Sequence, residues 1–186
     1  MPRPRTDRRA LVDQIIEVFR THGYDGTSIG QLSTETGLGR ASLYHHFPDG
    51  KVGMLHSAIA QEHSRLDTTV THLLHADTPA PGRLRAWADA LAAYHVDGRG
   101  CLFGRLLLSG AIPVAHDALR RALQAQHDAL AAVLIADGLP EPVAHHRARS
   151  TLEQVQGALL LARLHDDALP LDHLTRRLPS DLLRSP

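Results

Sequence analysis

Cysteine is almost missing from this chain: Cys101 stands alone, so no internal disulfide can form and no pair of CxxC motifs exists to build a zinc site. That excludes a disulfide-stapled secreted module, and a reducing cytoplasm is the expected setting. Aromatic residues make up only 4%, and alternating Val, Ile and Thr are nearly absent, so strands are hard to place anywhere. The longest strongly apolar run, Ala158 to Ala162, is far short of a membrane span. The basic start Met1-Pro2-Arg3-Pro4-Arg5 has no apolar stretch behind it, so neither export nor contact with a membrane is expected. Excess charge is lacking as well, because 20 basic and 20 acidic residues cancel. Composition alone does not point to nucleic acid.

What is present reads as a folded, all-α protein. The 186 residues are 43% hydrophobic and 22% charged, close to globular averages, and suffice for one ordinary domain or one with a small appendage. Ala, Leu, Arg, Gln and Glu dominate, all of them good helix formers. The first nine residues carry +3 from Arg3, Arg5, Arg8 and Arg9 against Asp7, whereas residues 52–186 hold 13 basic and 14 acidic side chains, so any electrostatic footprint sits at the front. Nineteen of the 20 basic residues are Arg, which suits bidentate phosphate contacts, although GC-rich coding produces the same bias.

Apolar spacing sets the helices. Leu11, Ile15, Val18 and Phe19 recur at intervals of three and four and predict a helix over 8–21, stopped by His22-Gly23. Thr27 and Ser28 can cap a short helix over 29–36, ended by Gly37, and a second short helix follows over 40–47 with Leu43 and Phe47 inward. A long helix is predicted over 51–76, then a linker over 77–82, then helices near 83–97, 103–110, 114–137, 142–166 and 171–184, separated by Gly98, Pro113, Gly138-Leu139-Pro140 and Pro170. In the helix over 142–166, Ala148, Leu152, Val155, Leu159 and Ala162 form one apolar stripe, and Ala158 and Leu161 extend it to a second face.

Residues 26–47 have the dimensions of a helix-turn-helix, in which the second helix must keep its outer face free of bulky apolar groups to enter a groove about 12 Å wide. Gly39, Arg40, Ala41, Ser42, Tyr44 and His45 are the outer candidates. Arg40 can reach guanine edges or phosphate, Ser42 either, and Ala41 a thymine methyl; Tyr44 and His45 can donate to phosphate oxygens. Lys51 adds a cation at the start of the next helix.

The run Gly26-Thr27-Ser28-Ile29, the turn Gly37-Leu38-Gly39-Arg40, the string Ser42-Leu43-Tyr44-His45-His46-Phe47 and Lys51 resemble the N-terminal domain of the TetR family of transcriptional regulators over about residues 8–60. Gly100-Cys101, Gly138-Leu139, the run from Gly157 to Arg163 and the phrase Phe47-Pro48-Asp49-Gly50-Lys51 resemble its LmrA/YxaF-like branch. Gly39 stands where many members have Ser or Thr, which leaves that helix start without a side-chain cap. The resemblance implies a ligand-responsive repressor that binds double-stranded operator DNA as a homodimer. A reading head over 1–50, with Thr27, Ser28, Arg40, Ala41, Ser42, Tyr44, His45 and Lys51 at the DNA, is joined by helix 51–76 to a regulatory and dimerisation domain, the two together making 51–186. Trp87, Tyr94, Phe103 and Leu107 are expected to wall a pocket for a small apolar or aromatic ligand, and Leu152, Val155 and Leu159 to form the dimer interface.

No metal or other cofactor is expected. Among the fourteen histidines, the pairs His72/His75 and His45/His46 lack a Glu or Asp at helical spacing to complete a ligand set, and adjacent helical histidines point about 100° apart. Trp87, Tyr94 and Phe103 also read as plain core. Cys101 reads as a small buried apolar residue or as an oxidation sensor. Ser109 and Asp117 near His116 show no nucleophile turn, so no enzyme is expected.

Overall fold

A computed structural model describes residues 7–95 and 101–184 of the chain. Arg3, Arg5, Gly98, Gly100 and the predicted end of the helix over 83–97 lie outside the described residues. Within them the chain is helical and holds no strand, as the composition requires. The helices are α1 (Arg8–His22), α2 (Ile29–Thr36), α3 (Arg40–His46), α4 (Gly50–Thr69), α5 (Ala80–Tyr94), α6 (Leu102–Leu107), α7 (Ile112–Ala136), α8 (Glu141–His165) and α9 (Leu169–Leu183). They divide between two compact units. The first takes the described residues up to Ser64 together with Leu102–Arg120; the second takes those from Arg65 to Cys101 and from Arg121 onward.

The first unit forms around α1. Asp7 caps its start by accepting from the Arg9 amide, and Leu11, Val12, Ile15, Ile16, Val18 and Phe19 are buried along it. α2 packs on α1, α3 on α2, and α6 on α1. Leu32, Leu43, Phe47, Met54, Leu55, Phe103 and Leu106 complete the apolar interior. Glu62 on α4 is fully buried there, and the Arg20 guanidinium reaches it at 2.8 Å while also contacting Glu17. In the second unit, α9 packs on both α5 and α8, with Leu84, Trp87 and Leu91 facing inward from α5 and Leu171, Leu174, Leu178 and Leu182 from α9. The buried stripe of α8 is rich in alanine, Ala144, Ala148, Ala158 and Ala162, which lets a neighbouring backbone come close.

Several boundaries differ from the sequence reading: Pro113 and Pro170, expected between helices, fall in the first turns of α7 and α9, and two larger changes flank the linker. The helix expected over 51–76 stops at Thr69, and a 3-10 turn covers Thr71–His75. Thr68 and Thr69 both turn their hydroxyls back onto the Arg65 carbonyl, offering it an alternative to the helical ladder inside a run of β-branched residues. The linker expected over 77–82 is half helix. α5 begins at Ala80, and Pro81 suits its first turn because no intrahelical acceptor awaits the missing N–H there.

Candidate nucleic-acid interface

The reading head is built from local rules. Ser28 closes a capping box at the start of α2: its hydroxyl accepts from the Gln31 amide, and the Gln31 side chain accepts from the Ser28 amide. Gly37, at φ 66°, ends α2 in the left-handed region, which glycine adopts without strain. α3 then starts at Gly39 with no side-chain cap. Its inner side is anchored by Leu43 and, one residue past its end, Phe47, both buried. Arg8 braces the other end, donating to the His46 carbonyl at 2.9 Å with its guanidinium over the Phe47 ring.

This anchoring leaves Arg40, Ala41, Tyr44 and His45 exposed on one helix, with Ser42 half-buried beside them. The Arg40 guanidinium lies across Gly30 at the start of α2. The Tyr44 ring lies against Gly50, whose φ of 60° strains any other residue and where a Cβ would come to 3.1 Å from Cε1. Five of the eight side chains expected at DNA therefore share one outer surface, and Ser28 is exposed at the start of α2.

Thr27 and Lys51 are placed differently. Thr27 is buried, with its hydroxyl donating to the Gly23 carbonyl at 2.6 Å, so its side chain is closed to a nucleic acid. The Lys51 ammonium donates to the carbonyls of Tyr24 at 2.8 Å and Thr27 at 2.7 Å and sits 4.1 Å from the Tyr24 ring centroid. Two of its three donors are committed to the turn between α1 and α2, so Lys51 shapes the head instead of standing free as a phosphate cation. Its partners are main-chain atoms, which carry no signature in the sequence.

The same turn is tied to α6 and the bend after it. Arg105 donates to the Thr21 carbonyl, Ser109 Oγ accepts from the Tyr24 amide, and the Asp25 carboxylate accepts from the Gly110 amide at 2.7 Å. Ser109 is thus a structural hydroxyl, and it also donates to the Leu106 carbonyl, closing α6 short of the expected 110. A Cβ at Gly110 would overlap the Asp25 carboxylate. Gly110→Ala should lose about 1–3 kcal/mol in urea unfolding, Asp25→Ala a similar amount, and the double variant scarcely more than either, because all three remove one charge-assisted hydrogen bond.

The remaining expected sites fall as follows. Trp87 on α5 is buried, and Tyr94 is half-buried with its ring edge-on to His95 at 5.0 Å between centroids. Phe103 on α6 is fully buried and Leu107 half-buried. A groove of about 290 Å³ between α8 and α9 has a mixed lining, with His146, Arg147, Gln154 and Asp181 beside Leu178 and Leu182. Val155 and Leu159 are core residues of their own unit, at 4% and 5% exposure, and Leu152 is half-buried. The expected interface stripe therefore faces inward, and the apolar residues that α8 leaves to solvent are Leu160, Leu161 and Leu164. Cys101 is buried, with the Gln156 amide group 3.8 Å from its sulfur.

Residues 11–58 match the model for bacterial regulatory proteins of the TetR family, and residues 82–177 match the C-terminal domain of LmrA/YxaF-like transcriptional regulators. The HTH-type transcriptional regulator LmrA of Bacillus subtilis (strain 168) is 25% identical over 184 residues, which cover 95% of this chain and 96% of the relative. A TetR transcriptional regulator from Legionella pneumophila superposes with a TM-score of 0.84 at 19% identity, over 97% of this chain and 99% of that one. A solved complex of the TetR family regulator CifR with 26-base-pair double-strand operator DNA superposes at 0.79 and 23% identity, over 96% and 98% of the two chains.

Proposed function

The chain belongs to the TetR family of bacterial regulatory proteins, with a C-terminal domain of the LmrA/YxaF-like kind, and is a DNA-binding transcriptional regulator; from that premise we propose that it is a homodimeric repressor released from a palindromic operator by a small apolar or aromatic inducer. The observation that carries the reading is the outer face of α3, where Arg40, Ala41, Tyr44 and His45 are exposed around an anchor of buried Leu43 and Phe47. In this reading residues 1–50 are the head. Arg40 reads a guanine edge, Ala41 meets a thymine methyl, Ser42 joins either, and Tyr44, His45 and Ser28 hold phosphates. Lys51 and Thr27 act by fixing the turn. Residues 51–186 regulate and dimerise.

Release is proposed to run through α6. α6 and the bend after it make three ties to the end of α1 and the turn that follows, so displacing this segment must break them or carry the head along. The inducer class rests on the apolar and aromatic character of Trp87 and Tyr94 on α5 and, separately, of Phe103 and Leu107 on α6. No helix among the described residues is long and apolar enough to cross a membrane, which is consistent with a cytoplasmic regulator.

Gel retardation with the DNA upstream of the chain's own gene tests the reading. Log affinity should fall linearly against log salt, with a slope of about −0.9 for each phosphate that a cation of the head neutralises. Arg40→Ala should relax base choice by ~1–3 kcal/mol, so an equal loss on operator and random DNA would remove its base-reading role. Trp87 is the only indole and reports the inducer by fluorescence. A compound that releases the operator must bind more weakly to the DNA complex by the same factor, and equal affinity with and without DNA would uncouple the two sites.

A further inference from the structure

α7 and α8 bring the adjacent pair His127 and Asp128 together with His145 of the next helix. His127, Asp128 and His145 each offer one ligand atom, and these atoms lie within 4.8 Å of one another in the second unit. The His127 Nε2 atom is 3.2 Å from the main-chain oxygen of His145. A carbonyl oxygen can only accept, so this nitrogen carries the hydrogen. In the neutral ring the lone pair is then on Nδ1, which stands 2.8 Å from an Asp128 carboxylate oxygen and 3.2 Å from the Gln124 amide nitrogen. A proton or a metal ion can bridge so short a contact, and neighbouring ligands on a metal with bonds of about 2.0–2.2 Å lie roughly 3 Å apart, close to the spacing found here.

The surroundings match such a centre. A histidine ligand normally gives its other N–H to a carbonyl or carboxylate, as His127 does here. Gln124 donates to the Asp128 carboxylate at 2.7 Å and orients it. The His145 ring is stacked on that of His127 at 5.2 Å, and Glu141, one turn earlier on α8, brings a second carboxylate to 3.7 Å from His145 Nε2. His127 is nearly buried while Asp128 is exposed, leaving an entrance for an ion. We propose that His127, Asp128 and His145, with Glu141 at the rim, bind one divalent transition-metal ion of the zinc, cobalt or nickel class and so fasten α7 to α8. Two imidazoles with carboxylates select these borderline ions over magnesium and calcium, which favour oxygen alone.

The test uses the full-length protein freed of metal by a chelator. Titration with Zn²⁺ in a calorimeter should give one saturable equivalent per chain in the micromolar range or tighter, and Co²⁺ should give a visible ligand-field spectrum at the same stoichiometry. Asp128→Asn, at an exposed position, and His145→Ala should each weaken binding by about a hundredfold or more, and Gln124→Ala by about 10–100-fold. His146→Ala should leave the affinity unchanged, since that ring lines the α8–α9 groove instead. The proposal is overturned if the wild type shows no saturable equivalent, or if the equivalent survives unchanged in Asp128→Asn and His145→Ala and so belongs to other histidines of the chain. Should His145→Ala not fold, Asp128→Asn decides alone.

Discussion

Arg20→Ala is expected to destabilise the protein by about 3–5 kcal/mol, the loss typical when one partner of a buried ion pair is removed and the other charge stays in the interior. Glu62 is fully buried, and the Arg20 guanidinium donates to it at 2.8 Å from a side chain that is itself only 11% exposed. The pair joins α1 to α4, so the loss falls on the framework that carries α2 and α3. Set against a total stability of roughly 5–15 kcal/mol, it would bring the first unit close to its unfolding midpoint. Urea titration followed by circular dichroism measures it. The double variant Arg20→Met with Glu62→Leu should be far less damaged than Arg20→Ala, because it removes both charges and fills the space with apolar atoms. If the two lose the same amount, shape and not charge holds this junction. Operator affinity should follow the folded fraction in both, as neither residue lies on the exposed face of α3.

The helices of the reading head were legible because their signals are local. Ser28, Gly37 and Gly23 act within a few residues of where they stand, and the expected and observed bounds of α2 coincide. Leu43 and Phe47 could be assigned inward by spacing alone. The end of α4 was missed because hydrophobic period continues past Thr69, while the competing hydroxyls of Thr68 and Thr69 leave that period untouched. The contacts of Lys51 were not legible for another reason. A lysine at a helix start beside a DNA-reading helix is a fair phosphate ligand, and only the fold brings the carbonyls of Tyr24 and Thr27 within its reach.

The metal cluster shows how far such reasoning goes. Glu141 and His145 stand one turn apart and can be paired on paper. The other half comes from α7, and no sequence rule sets the register of one long helix against the next. α8 was ambiguous for a different reason, because its apolar residues cover more than one face. Spacing put the stripe through Leu152, Val155 and Leu159 at the interface, whereas burial by α9 and its neighbours decides otherwise, turning Val155 and Leu159 inward and leaving Leu160, Leu161 and Leu164 outside.

That decision changes how the dimer must be tested. Val155→Asp or Leu159→Asp would place a carboxylate inside the protomer and unfold it, which says nothing of a partner. The residues to change are on the outer stripe. Gly157, Leu160, Leu161 and Leu164 follow one another at intervals suited to a single helical face, the three leucines are 53%, 48% and 72% exposed, and nothing stands within 4 Å of a Cβ built at Gly157. Such a face lets a second helix approach closely and bury leucine on leucine. Two-fold symmetry counts every substitution twice, so Leu161→Asp with Leu164→Asp brings four carboxylates to the proposed interface while removing four leucine side chains, each contributing about 1.5–3 kcal/mol when fully buried. The expected result is a folded monomer in sedimentation, with the unfolding midpoint of the protomer little changed. Its operator affinity should fall by about 10²–10⁴, the factor lost when two linked heads become independent. A variant that still sediments as a dimer and retains the operator would move the interface to another surface, whereas one that dissociates yet keeps full affinity would mean that a single head suffices for binding.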